Sequence, residues 1–129
     1  MKPSAAIAQL LSAGVPLAHI TMSSDGCGSL PSFDESGALS RLEVGEPASI
    51  FRELVDAVRD EGLPIAQAVR VVSTNVADIL KLPGKGHLVP GADADLAVLD
   101  ADLRLRHVIA GGQWMMRDGE PLRKGSFEA

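Results

Sequence analysis

Apolar and polar positions change rhythm several times along this chain. Near the amino terminus Ile7, Leu10 and Leu11 recur at i, i+3 and i+4, the spacing that lines one face of a helix. Ser4 is placed to cap that helix and Gly14 to stop it. Residues 18–24 then form a short, mostly apolar run fit for a buried strand. From residue 25 to 47 the rhythm disappears, and Gly, Ser, Pro and acids dominate without a helical or strand period. A loop of that length inside a compact domain is uncommon unless it is functional or disordered.

Helical spacing resumes near Ser49. Ile50, Phe51, Leu54, Val55 and Val58 make one apolar stripe, with Arg52 and Asp56 spaced to pair on the surface. Gly62 closes this helix and Pro64 suits the first position of the next, where Ile65, Ala68, Val69 and Val72 share a face. Asn75 is placed to cap a further short helix, with Asp78 in its first turn and Ile79 and Leu80 facing inward. The last third is punctuated by turns at Pro83-Gly84, Gly86 and Pro90-Gly91. Residues 96–99 and 103–110 read as strands. Gly111-Gly112 signals a hairpin into Gln113, Trp114, Met115 and Met116, and Asp118-Gly119 signals another.

This order (helix, strand, long loop, helices, small antiparallel sheet) leaves the early strand without a partner of its own. A few terminal strands with no covering layer are also marginal in water. The chain therefore reads as part of a larger protein, or as one that assembles with another chain.

Composition narrows the function. With 46% hydrophobic and 22% charged residues among 129, the chain is globular rather than disordered. A net charge of -5, 3% aromatics and no Tyr lack both the basic footprint and the stacking platforms of a nucleic-acid binder. The single cysteine, Cys27, cannot form an internal disulfide, which favours a reducing, cytoplasmic setting. Lys2 followed by residues 5–11 loosely imitates a secretory signal, but Gln9, Ser12, Gly14 and Pro16 interrupt it and the helix reading is preferred. No apolar stretch reaches the roughly 20 residues of a membrane span.

The sharpest chemical feature is Ser23-Ser24-Asp25-Gly26-Cys27-Gly28-Ser29, where a carboxylate leaves the end of the apolar run and enters a glycine-rich loop. In parallel α/β barrels catalytic groups sit at that end of the strands. On residue types alone, however, Asp25-Gly26 reads first as the start of a turn.

A family resemblance shifts that balance. Residues 20–29, with Pro31-Ser32-Phe33-Asp34 and Gly37, resemble the eighth barrel strand and following loop of the isoaspartyl (β-aspartyl) dipeptidases, in the amidohydrolase superfamily. Thr74-Asn75-Val76-Ala77, Gly84-Lys85-Gly86 and residues 90–96 resemble the superfamily's tail, as do Gly111-Gly112, Asp118-Gly119 and residues 124–128. The resemblance covers nearly the whole chain. It implies an α/β fold: residues 1–82 as the last strand and helices of a (β/α)8 TIM-like barrel, and residues 83–129 as carboxy-terminal strands of a small β-sandwich. It further implies a zinc-dependent hydrolase of isoaspartyl dipeptides, with a two-metal site. In that role Asp25 is both metal ligand and proton acceptor for the bridging water, whose pKa the metals lower, and it returns the proton to the leaving amine. Ser29 matches the serine that hydrogen-bonds the substrate carboxylate. Cys27 departs from the Asn or other polar residue expected there.

The other metal ligands of that family, a His-x-His pair, a modified lysine and two further histidines, have no counterpart in this chain. Its histidines, His19, His87 and His107, stand far apart without ligand spacing. Catalytic zinc normally takes three protein ligands, so a chain carrying only Asp25 is expected to be inactive alone. The missing amino-terminal barrel portion would be its first partner and a dipeptide its substrate, with a homo-oligomer as the complete form. His19 reads as a residue preceding the strand, His87 as part of a turn and His107 as part of a strand. Asp93 and Asp95 read as turn acceptors rather than a cation loop, and Gly84-x-Gly86 precedes no helix that would make it a phosphate loop. Trp114, Met115 and Met116 read as sheet core, and Lys81, Lys85 and Lys124 as solvated. Two other functions remain open: a different amidohydrolase of the D-aminoacylase, dihydroorotase or hydantoinase type, or a non-catalytic module that pairs its strands with a partner.

Overall fold

A computed structural model describes residues 1–123 and 125. The chain divides into two compact units, Met1–Val76 and a second beginning at Ala77.

The first unit packs three helices. Helix α1 spans Pro3–Ser12 with Pro3 at its first position, where a missing N–H costs nothing. Ser4 therefore lies inside the helix and is fully buried rather than capping it. Its N–H donates instead to the Glu53 carboxylate at 2.9 Å, an anion placed at the positive end of the helix. Helix α2 spans Ser49–Arg59 and helix α3 spans Ile65–Val72. The surface pair read as Arg52 with Asp56 does not form: Arg52 pairs with Glu46 at 2.7 Å and Asp56 with Lys2 at 3.1 Å. Gly62 takes a φ of +71°, and this reversal lets the Leu63 N–H reach the Ala57 carbonyl and bury the Leu63 side chain.

Pro64 is the residue before α3 rather than its first member. The buried face of α3 is Ala68 and Val71, while Ile65 and Val69 are 43% and 37% exposed. Of the stripe read from the sequence, Ala68 is buried and Val72 packs against the core, but Val71 takes the central place expected of Val69. That core joins Ile7, Ile20, Leu54, Ala57, Leu63, Ala68 and Val71.

Two expectations for the region between α1 and α2 are corrected. A one-turn 3-10 helix, Leu17–His19, occupies the start of the apolar run, and residues 20–25 hold no strand assignment. A strand needs a paired neighbour, and the backbone contact here is a single Met22 N–H to the Val71 carbonyl at 3.2 Å. The rhythmless stretch that follows is not all loop. It contains an antiparallel hairpin, β1 (Ser29–Phe33) with β2 (Leu39–Val44). Both strands are exposed throughout, so no burial alternation marks them in the sequence. Asp34 closes the hairpin: one carboxylate oxygen accepts the Ser36 hydroxyl and the Ser36 and Ala38 amides, and Gly37 supplies a φ of +82°.

Helix α4, Thr74–Leu80, runs from the first unit into the second. The second unit then forms a four-stranded antiparallel meander in sequence order: β3 (Leu96–Leu99), β4 (Leu105–Ala110), β5 (Gln113–Arg117) and β6 (Glu120–Pro121). Gly111 and Gly112 both take positive φ, as do Asp118 and Gly119, the geometry a two-residue hairpin turn requires. Strand β4 starts at Leu105 because Leu103 has a φ of +57° in a turn organised by the Asp100 carboxylate.

Lys85 is not a free surface charge. It bridges Asp93, at 2.8 Å, and Asp95, which also accepts the Gly111 N–H at 2.7 Å. Asp93 and Asp95 thus serve as acceptors within the loops, as their turn setting implied. Trp114 is 43% exposed rather than core, its ring edge-on to His107 and covered by the Arg117 guanidinium at 5.4 Å. The expectation for Lys124 and most of the tail motif at 124–128 lies outside the described residues.

Candidate functional site

Asp25 is reached by a segment that the core holds from behind. Ile20 is buried, and the Asn75 side-chain amide donates to the Leu17 carbonyl at 2.7 Å and the Ile20 carbonyl at 2.9 Å. Asn75 is therefore an interior residue of α4, 2% exposed, and not its cap. It gives the Ile20 carbonyl a partner and adds a second donor to the Leu17 carbonyl, which also accepts the Ile20 N–H at 3.1 Å. The Val71 carbonyl takes the Met22 N–H a turn further on.

Beyond Ser24 the chain coils into a tight turn. Asp25 and Cys27 both take left-handed backbone angles, φ 47° and 64°, and the Asp25 carbonyl accepts the Gly28 N–H at 2.8 Å. The sequence reading of Asp25-Gly26 as a turn is correct, but this turn also carries an exposed carboxylate. Ser23 donates its hydroxyl to Asp25 Oδ1 at 2.9 Å, and Ser24 Oγ accepts the Gly26 N–H at 3.2 Å. The end of β2 closes the turn. Cys27 donates its N–H to the Gly45 carbonyl and the Gly45 N–H returns to the Gly28 carbonyl, both at 2.8 Å. Ser29 opens β1, pairs with Val44 and is exposed. Asp25 and Ser29 thus share one loop and strand start, with Cys27 between them as an exposed free thiol.

The three histidines are elsewhere. His19 is exposed at the end of the 3-10 turn. His87 pairs with Asp78 at 3.0 Å, and His107 accepts the Asp118 N–H on Nδ1 at 3.1 Å within β4. Among the described residues no three His, Cys, Asp or Glu side chains come together to hold a metal ion. The described residues therefore do not by themselves fit the two-metal centre that the family resemblance implies.

An open groove of about 490 Å³ in the second unit, lined in part by Asp78, Lys81, Leu82, Lys85 and His87, contains neither Asp25 nor Ser29. Its Lys85 and His87 are already engaged by Asp93, Asp95 and Asp78.

Ser23, Gly45 and Asn75 do much of the positioning; the sequence placed Ser23 in the motif without a role, read Asn75 as a cap, and passed over Gly45. Asn75 has the same residue type as a helix cap, and Gly45 sits in a stretch without period, so neither carried a distinguishing signal.

The amidohydrolase family model matches residues 2–118, and the chain belongs to that family. Among solved structures it is similar to a β-aspartyl dipeptidase from the thermophilic, keratin-degrading Fervidobacterium islandicum AW-1, in complex with β-Asp-Leu dipeptide. That match has 34% identity and a TM-score of 0.84, and covers 97% of this chain and 33% of the dipeptidase. A second structure of β-aspartyl dipeptidase from the same source matches at 29% identity and a TM-score of 0.77, covering 98% of this chain and 30% of that one. An N-acetylglucosamine-6-phosphate deacetylase from Thermotoga maritima, 20% identical, shares the fold at a TM-score of 0.65 over 85% of this chain and 34% of its own. The chain spans about a third of the length of the dipeptidases it matches. The α/β expectation holds: the chain is the carboxy-terminal part of a metal-dependent hydrolase barrel of TIM type, with strands of the small β-sandwich.

Proposed function

We propose that this chain supplies the catalytic carboxylate, Asp25, of a zinc-dependent hydrolase of β-aspartyl (isoaspartyl) dipeptides. The observation that carries this reading is the 34% identity over 97% of the chain to a β-aspartyl dipeptidase. The glycine-rich turn that presents Asp25 supports it. Residues 1–82 belong to the barrel and residues 83–129 to the small sandwich. The remaining barrel strands and metal ligands belong to an amino-terminal portion beyond this chain. In the complete barrel the unpaired segment after Ile20 gains its strand neighbours.

Asp25 takes a proton from the attacking water and delivers it to the leaving amine. Ser23 fixes Oδ1, so Oδ2 is the oxygen assigned to that proton. The Ser29 hydroxyl donates to the substrate carboxylate. By itself the chain is inactive, because Asp25 without further ligands does not hold zinc. The complete enzyme is a homo-oligomer of the cytoplasm that engages neither nucleic acid nor membrane; among the described residues no helix is long and apolar enough to cross a membrane.

The test is substrate profiling of the intact enzyme. β-Asp-Leu is expected to be cleaved at least about 100-fold faster than α-Asp-Leu, since the site must read where the aspartyl carboxylate stands relative to the scissile bond. Failure to cleave any β-aspartyl dipeptide would overturn the assignment.

A further inference from the structure

We infer that Gly45, twenty residues beyond Asp25 in sequence, is the positioning residue for the Asp25 carboxylate; this rests on Asp25 being the catalytic group. Gly45 is buried at the end of β2, in a loop region whose neighbours are exposed. It makes a reciprocal pair of backbone bonds with the turn, accepting the Cys27 N–H and donating to the Gly28 carbonyl, both at 2.8 Å. A Cβ on residue 45 would stand 2.1 Å from the Asp25 carbonyl oxygen and 2.8 Å from its carbonyl carbon. Those are backbone atoms on both sides, so no side-chain rotation relieves the overlap. Gly45 is also not among the residues with positive φ, so an alanine there meets no conformational penalty of its own. The need for glycine is close approach: the strand end lies flat on the Asp25 peptide and fixes a turn that holds two non-glycine residues in left-handed geometry.

Any side chain at position 45 must push the Asp25 peptide outward and move the carboxylate with it. A displacement of that order at a catalytic group costs about 100-fold in rate. Gly28 gives a graded comparison, because its Cβ would meet the same Asp25 oxygen at a milder 2.9 Å.

The experiment compares Gly45→Ala, Gly28→Ala, Gly37→Ala and Asp25→Asn in the intact enzyme on β-Asp-Leu, with amide hydrogen exchange on the unsubstituted protein. Gly37 lies at the hairpin tip with a φ of +82°, where an added Cβ would strain the local backbone but meet nothing within 4 Å, so it controls for glycine loss that does not press on Asp25. Gly45→Ala is expected to lower kcat about 100-fold with KM changed less than about threefold. Gly28→Ala should lose less, and Gly37→Ala should keep full kcat. In the unsubstituted protein the Cys27 and Gly45 amides should exchange together, protected by one opening event. Full kcat in Gly45→Ala, or a Cys27 amide exchanging as freely as an open loop, overturns the inference even where Asp25→Asn is inactive. If Gly45→Ala fails to fold, the exchange result decides. Full activity in Asp25→Asn would instead overturn the catalytic assignment itself.

Discussion

Single residues in this chain carry unusual shares of the structure. Asn75 is the clearest: buried, it donates two hydrogen bonds to carbonyls of the segment that leads to Asp25, while its own Oδ1 is without a hydrogen-bond partner. Asn75→Asp would turn a carboxylate toward those carbonyls, removing the donor to Ile20 and leaving Leu17 only the Ile20 N–H. It is expected to destabilise the first unit by about 2–4 kcal/mol, read by chemical denaturation. A variant as stable as the parent would show that the two bonds are not formed in solution.

Lys85 is the corresponding residue in the second unit. Hydrogen bonding and charge from Asp93 and Asp95 push its pKa up to about 12, and Lys85 followed by the Gly111 amide lowers that of Asp95. The signs are opposite. The stability from Asp95 is present above its ordinary pKa of 3.8 and is lost as pH falls through its lower folded value. The stability from Lys85 is present below 10.5 and is lost as pH rises through about 12. All three side chains are substantially exposed, so salt should weaken both effects. Asp95→Asn is expected to lower the melting temperature of the sheet at pH 7 and to converge with the parent at acid pH. An unchanged difference across that range would contradict the bridge.

At the scale of elements, what the sequence revealed depended on burial. Helix α2 and the meander β3 to β5 were legible because apolar spacing and Gly-Gly or Asp-Gly turns point the same way. Leu54, 7% exposed, is the deepest large side chain of the α2 stripe, and Leu54→Ala is expected to cost about 2–4 kcal/mol, measured by thermal or denaturant unfolding. The hairpin of β1 and β2 was illegible for the converse reason. With both strands exposed, nothing forces alternation, and Pro31 inside β1 argues against a strand on sequence alone. The face of α3 was misread because Val69 and Val71 are the same residue type, and only packing against Ile20 and Ala57 chooses between them. The run after Ile20 failed for a different reason: its apolar pattern suits a strand, but strand pairing is a property of neighbours, and among the described residues no strand lies beside it.

For the whole molecule, the site was half legible. Asp25 and Ser29 stood out through the family resemblance, and the structure puts them on one turn and strand start. The parts that hold the turn depend on contacts 17 and 18 positions apart for Gly45 and 55 and 58 for Asn75, or, for Ser23, on a generic residue type, and no local pattern announces those roles. The three histidines serve an exposed turn, a hydrogen bond to Asp78 and a strand contact, and among the described residues none joins a cluster fit to hold a metal. The chain spans about a third of the dipeptidases it resembles, and the part assigned to it by the proposal is a carboxylate and the turn that carries it.

The most direct measurement is the turnover of β-Asp-Leu by the intact enzyme carrying Asp25→Asn. Asparagine keeps the shape of the side chain but accepts no proton, so kcat should fall by about 10³-fold or more while the protein stays folded. Full activity in that variant would contradict the central claim, that Asp25 is the group through which this chain takes part in catalysis.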